Sequence, residues 1–139
     1  RSGRLDAMQA AVLNVKLKYF HEEVQKRKEI GDKYTKSLKH IALITPKIAD
    51  GYSSVYAQYS IRASDRAKLV EELSSHDIPT AVHYPIPLHL QEAFAYLGYK
   101  KGDFSVSEMI SQQILSLPMS PFLTDKQQEF IISTIKEIL

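Results

Sequence analysis

Ser54-Val55-Tyr56-Ala57-Gln58-Tyr59-Ser60-Ile61-Arg62-Ala63 runs into Ser64-Asp65 and then Arg66-Ala67-Lys68-Leu69-Val70-Glu71-Glu72-Leu73-Ser74-Ser75. The first ten residues alternate, with Val55, Ala57, Tyr59 and Ile61 on one side and Tyr56, Gln58 and Ser60 on the other. That period of two predicts a strand with one buried face. Ser64-Asp65 predicts an N-cap for a helix over 66–75 whose Leu69, Val70 and Leu73 face inward. A strand feeding a capped helix places the chain in the α/β class, as a small α+β unit.

Upstream, apolar residues from Leu5 to Val24 recur at steps of three and four: Leu5, Met8, Val12, Val15 and Tyr19, widened by Leu13, Leu17, Phe20 and Val24. This is helical periodicity. It continues to Leu38 without a proline, but 22–36 is mostly charged and predicts a solvated face. Thirty-odd residues would span about 50 Å at 1.5 Å each. That length predicts a break near Gly31 or a reach to another domain or subunit, so residues 1–40 read as a connecting helix and 41–139 as a small domain.

Downstream, Asp77-Ile78-Pro79 ends the second helix and Thr80–Tyr84 predicts a short strand. Pro85 and Pro87 then enforce an extended segment. Short helices are expected over 91–97 and 107–114, with a strand at Leu115-Ser116-Leu117. Thr124 with Gln127 predicts a capping box for a last helix carrying Phe130, Ile131, Ile135 and Ile138. The expected order is α, β, α, β, α, α, β, α.

Composition bounds the function. The 139 residues suffice for one domain burying about two-thirds of its unfolded surface. There is no cysteine, which excludes disulfides, thiolate metal sites and cysteine nucleophiles and suits a reducing cytosol. A net charge of +2 argues no nucleic-acid partner, and acidic residues interleave the basic run Lys26-Arg27-Lys28. No apolar stretch reaches the ~20 residues of a membrane span. The chain opens on Arg1-Ser2-Gly3-Arg4 and reads as a piece of something longer.

The most unusual stretch is His83-Tyr84-Pro85-Ile86-Pro87-Leu88-His89. Two imidazoles and a phenol at a proline-stiffened strand end suit the binding of phosphate or sugar oxygens. The other reading is local packing and backbone capping. Two histidines without a nearby carboxylate or cysteine do not make a metal site. Arg1 and Arg4 before a helix form a possible anion corner or a solvated helix end. No nucleophile elbow, carboxylate pair or desolvated lysine is evident.

Four segments carry the reading further. Arg4-Leu5-Asp6 with Gln9-Ala10-Ala11, Leu13 and Lys16-Leu17 resembles an "RLDxxQAAxLxxKL" signature. Tyr56–Tyr59 is similar to "YAQY", His83–Gln91 to "HYPxPLHLQ" and Leu115–Pro121 to "LSLPMxP". Together they resemble the DegT/DnrJ/EryC1/StrS family of pyridoxal-phosphate-dependent sugar aminotransferases.

The resemblance implies the C-terminal small domain of a fold-type I enzyme, with a small, mainly antiparallel sheet covered by helices. It implies pyridoxal 5'-phosphate held mainly by a large domain elsewhere, with no catalytic Schiff-base lysine in this chain. It also implies transfer of an amino group, usually from glutamate, to a nucleotide-linked keto-sugar, by a cytoplasmic homodimer acting in surface polysaccharide or glycoconjugate synthesis. By the same resemblance Arg4 approaches a cofactor or substrate phosphate across the dimer. His83 and Tyr84 contact the nucleotide-sugar, and His89 supports that loop. Ser2 stands where the family usually has an asparagine that reaches the cofactor phosphate. The alternative is a non-catalytic nucleotide-sugar-binding or oligomerisation module of the same fold.

Overall fold

In the computed structural model the described residues are Gly3 and 5–139. Arg1, Ser2 and Arg4, the expected anion corner and cofactor contacts, lie outside them. Asp6 caps helix α1 (Ala7–Leu17), accepting from the Met8 backbone N–H at 2.8 Å. Helix α2 (Phe20–Leu38) follows. The expected break falls between them and not at Gly31: Lys18 and Tyr19 donate to the carbonyls of Val15 and Lys16, a 3₁₀-type tightening that ends one helix and starts the next. Helix α2 runs through Gly31 unbroken because the glycine answers a packing demand. A Cβ built there would sit in the Tyr56 ring, 2.5 Å from Cε2 and 2.8 Å from Cγ.

Burial reverses the hydropathy reading of this region. Apolar α1 contains no buried residue, whereas charged α2 buries Ile30, Gly31, Tyr34 and Leu38 along one narrow stripe. Tyr34 stacks on Tyr59 with ring centres 5.0 Å apart, and its hydroxyl donates to the Pro118 carbonyl at 3.1 Å. Thr35 donates to the Gly31 carbonyl, so the Tyr59 hydroxyl, 2.9 Å away, donates to Thr35.

The sheet is antiparallel throughout, in the order β1 (Leu43–Ile44), β2 (Tyr59–Ala63), β3 (Ile114–Leu117). Strand β2 occupies only the second half of the predicted alternating stretch. Before it, Tyr56 takes a positive φ of 43° and turns its ring inward over Gly31, and Val55 is exposed. The β1 pairing was not expected: two residues carry no readable alternation. Tyr59, Ile61 and Ala63 of β2 with Leu115 and Leu117 of β3 form the core face. Helices α2, α3 (Arg66–Ser75) and α5 (Asp125–Ile138) cover it through Leu38, Leu69, Leu73, Ile131 and Ile135. The predicted caps are present. Asp65 accepts from Lys68, and Thr124 and Gln127 form the reciprocal box.

The other face carries Ser60 and Arg62 opposite Ser116 and Ile114. Helix α4 (Ser105–Gln113) lies against it, with the Arg62 guanidinium bonded to the Gln113 side-chain oxygen at 2.7 and 3.1 Å. The predicted strand over 80–84 is reduced to one bridge between Ala81 and Ser116. Pro79 and Pro85 bound that segment and leave room for little more. The predicted helix over 91–97 is a 3₁₀ turn, Glu92–Leu97, preceded by another over Leu88–Leu90.

Candidate functional site

Ile78 is buried and anchors the entry to the proline-rich loop, while Ala81 exchanges two backbone hydrogen bonds with Ser116, at 2.7 and 3.2 Å. Two residues later the chain leaves the sheet at His83–Tyr84, joined by a cis peptide. The His83 Nδ1 lies 3.1 Å from the Ser116 hydroxyl, which lies 3.0 Å from that of Ser60. The Tyr84 ring stands edge-on to His83 and is 70% exposed. The loop closes on itself through Gln91, whose amide donates to the Ile86 carbonyl at 3.3 Å.

His83, Tyr84 and His89 line a groove of about 440 Å³ together with Ile86, Leu88, Phe104 and Ile110. His83 also lines a smaller hollow, about 270 Å³, beside Gln58, Thr80 and Met119. Two imidazoles and one phenol in a mostly apolar trough can orient a polar ligand whose ring faces lie on carbon.

His89 lines the same groove but is tied inward. Its Nε2 lies 3.0 Å from Glu108 Oε1, its side chain is 8% exposed, and its ring packs on Phe104 at 4.8 Å. The same Glu108 oxygen accepts the backbone N–H of Gly102 at 2.8 Å and of Phe104 at 3.4 Å. Those bonds, the Gly102 donor foremost and then His89, hold the Glu108 carboxyl below the ordinary carboxylate range. His89 thus fastens the proline loop to the 98–104 turn and the start of α4. Glu108 and Ser116 were not singled out from the sequence. The one signal was a serine within an otherwise apolar strand.

Lys33 holds its proton more firmly than an ordinary lysine. It bonds Asp125 at 3.0 Å and Glu129 at 3.2 Å, and those carboxylates hold the proton on, the opposite of what an amine nucleophile requires. Burial pushes the Tyr59 phenol up to about 12 and Tyr34 upward as well, so both act as neutral donors. Among the described residues no group of three or more His, Asp or Glu could hold a metal, and no helix is long and apolar enough to cross a membrane.

The fold defines the class first. DesV of S. venezuelae, in complex with ketimine intermediate, superposes with a TM-score of 0.93 at 31% identity over 96% of this chain and 36% of that one. An aminotransferase from Brucella abortus gives 0.89 at 39% identity, again over 96% and 36%. Residues 1–136 match the DegT/DnrJ/EryC1/StrS aminotransferase family, and the chain belongs to it. It is 41% identical over 139 residues to a pleiotropic regulatory protein of Geobacillus stearothermophilus, covering 98% of this chain and 37% of that one. It is 39% identical to the UDP-2-acetamido-2-deoxy-3-oxo-D-glucuronate aminotransferase of Pseudomonas aeruginosa, covering 96% and 36%. The chain therefore spans little more than a third of the length of these relatives.

Proposed function

We propose that this chain is the C-terminal, substrate-contacting part of a pyridoxal-phosphate-dependent aminotransferase that passes an amino group, from a donor such as glutamate, to a nucleotide-linked keto-sugar. The enzyme works in the cytoplasm as a homodimer, in surface polysaccharide or glycoconjugate synthesis. The observation that carries the reading is the His83–Tyr84 step, held by Ser116 on one side and opening on the apolar-walled groove. His83 and Tyr84 supply polar contacts to the nucleotide-sugar, the groove wall takes its carbon faces, and His89 with Glu108 keeps the loop in place. Pyridoxal phosphate, when bound, supplies the electron sink of the reaction. We assign its lysine and most of its contacts to a large domain outside this chain, with Ser2 and Arg4 reaching its phosphate.

Exposed surface supports a part that completes something larger. The chain exposes 10255 Å², whereas a compact chain of its mass exposes about 7,300 Å². Met8, Val12, Leu13, Leu17 and Phe20 all lie more than half exposed along α1 and the start of α2. We assign residues 1–40 to the connection between the large domain and the small domain of 41–139, with the second half of that connection seated in the small domain's core through Ile30, Tyr34 and Leu38. The test is chemical. The isolated chain is incubated with pyridoxal phosphate, reduced with borohydride and mapped by mass spectrometry, in parallel with the polypeptide that carries it. The expected label falls on one lysine outside this chain, and a stoichiometric label on a lysine within it overturns the proposal. A carrier polypeptide that binds nucleotide-sugar but takes no label would instead support a non-catalytic binding module.

A further inference from the structure

Ser60 and Ser116 are register partners on the face of the sheet that looks away from the core, and Ser116 is almost completely buried. Their hydroxyls and the His83 imidazole form one row: Ser60 Oγ to Ser116 Oγ, 3.0 Å, and Ser116 Oγ to His83 Nδ1, 3.1 Å. Backbone pairing fixes the spacing, because Ser116 is bonded to Ser60's strand on one edge and to Ala81 on the other, two residues before His83.

Each hydroxyl has one proton to give, and the arrangements that keep the buried Ser116 proton bonded run in one of two directions. If Nδ1 carries the imidazole proton, it donates to Ser116 and Ser116 donates to Ser60. The half-buried Ser60 then gives its proton to solvent, and the basic Nε2 faces any ligand as an acceptor. In the opposite direction Ser60 donates to Ser116 and Ser116 donates to Nδ1, so both hydroxyl protons are bonded within the row and the one proton without a partner in the chain is the ring proton on Nε2, free for a ligand. A donor that is itself an acceptor is polarised by the bond it receives, which strengthens the second link.

We propose that Ser116, backed by Ser60, is a positioning residue that keeps the neutral His83 ring in its Nε2–H form, so that the imidazole presents a hydrogen-bond donor. The matching ligand group is an acceptor oxygen, as on a diphosphate or a sugar. This inference rests on the reading of His83 as a substrate contact.

The tautomer is read directly. Long-range ¹H–¹⁵N correlation spectra of the 139-residue chain are recorded at pH about 8.5, where imidazole is neutral, with His83 identified by loss of its signals in His83→Gln. The expected spectrum has the proton on Nε2 and a hydrogen-bonded acceptor at Nδ1. Ser116→Ala should move the Nδ1 resonance to its unbonded position. Ser60→Ala, a milder change, should move it part of the way with the proton still on Nε2. A wild-type proton on Nδ1, or an Nδ1 resonance indifferent to both variants, overturns the inference. A kinetic arm uses the polypeptide that carries this chain. His83→Gln should raise the KM for the amino acceptor about tenfold, the worth of one good hydrogen bond, and Ser116→Ala should raise it several-fold. The double variant should be no worse than His83→Gln alone, and full additivity of the two overturns the positioning role. If His83→Gln leaves that KM unchanged, the substrate reading fails while the tautomer assignment stands on its spectrum.

Discussion

Gly31→Ala sets two physical effects against each other at one position. Gly31 sits inside α2 with helical backbone, where alanine is favoured by about 1 kcal/mol on propensity alone. Against this, the added methyl meets three atoms of the Tyr56 ring, including Cγ at its root. The ring cannot swing away freely. It packs on Tyr59 at 5.6 Å, its carbonyl accepts from Arg27 at 3.2 Å, and its backbone already lies at positive φ. Overpacking of this kind costs about 1–3 kcal/mol, and an overlap at the root of a confined ring belongs in the upper part of that range. The net expectation is a loss of about 1–2 kcal/mol, near 4 °C per kcal/mol in melting temperature for a chain of this size. Urea denaturation checks it, in a double-mutant cycle with Tyr56→Ala. Tyr56→Ala removes the obstacle, so Gly31→Ala in that background should become stabilising by about 1 kcal/mol. A stabilising Gly31→Ala in the wild-type background, or the same sign in both, would show that the Tyr56 ring does not confine position 31.

Other expectations follow from contacts on the same surfaces. Because the folded Glu108 carboxyl titrates below its ordinary value of 4.5, its contribution is full above that value and is lost as pH falls through the lowered one. Glu108→Gln should therefore flatten the acid limb of a urea-midpoint-against-pH curve, and an unchanged limb contradicts the assignment. Gln128 is 2% exposed and donates to the Ile30 carbonyl at 2.8 Å, tying α5 to α2. Gln128→Ala should cost about 1–3 kcal/mol from that buried bond and its packing, measured by the same denaturation. The bare apolar face of α1 should make the isolated chain self-associate, and Val12→Glu should shift its sedimentation toward the monomer.

The parts of the fold legible in the sequence are those fixed by neighbours a few residues away. Asp65 and Thr124 announce their helices because a cap needs only the next turn, and Tyr59–Ile61 announces β2 because its alternation is local. The long first helix misleads for a physical reason. Its apolar half finds no cover among the described residues, while its charged half needs only Ile30, Tyr34 and Leu38 to seat itself in the core. The role of Gly31 depends on Tyr56, twenty-five residues on, and no helical rule reports it. The site divides in the same way. His83 and Tyr84 stand out as a polar pair among prolines, but the partner that takes His89 inward, Glu108, lies nineteen residues away in another element. Ser116 reaches His83 only because the single bridge at Ala81 brings β3 alongside.

On the proposed function, this chain meets the sugar and leaves the cofactor chemistry to residues elsewhere. The most direct measurement separates the two half-reactions in the polypeptide that carries the chain, with and without Tyr84→Phe and His83→Gln. The half-reaction with the amino donor should keep its rate while the KM for the nucleotide-linked keto-sugar rises about tenfold for His83→Gln. Tyr84→Phe should shift that KM in the same direction. Equal loss in both half-reactions, or no change in the sugar half, would contradict it.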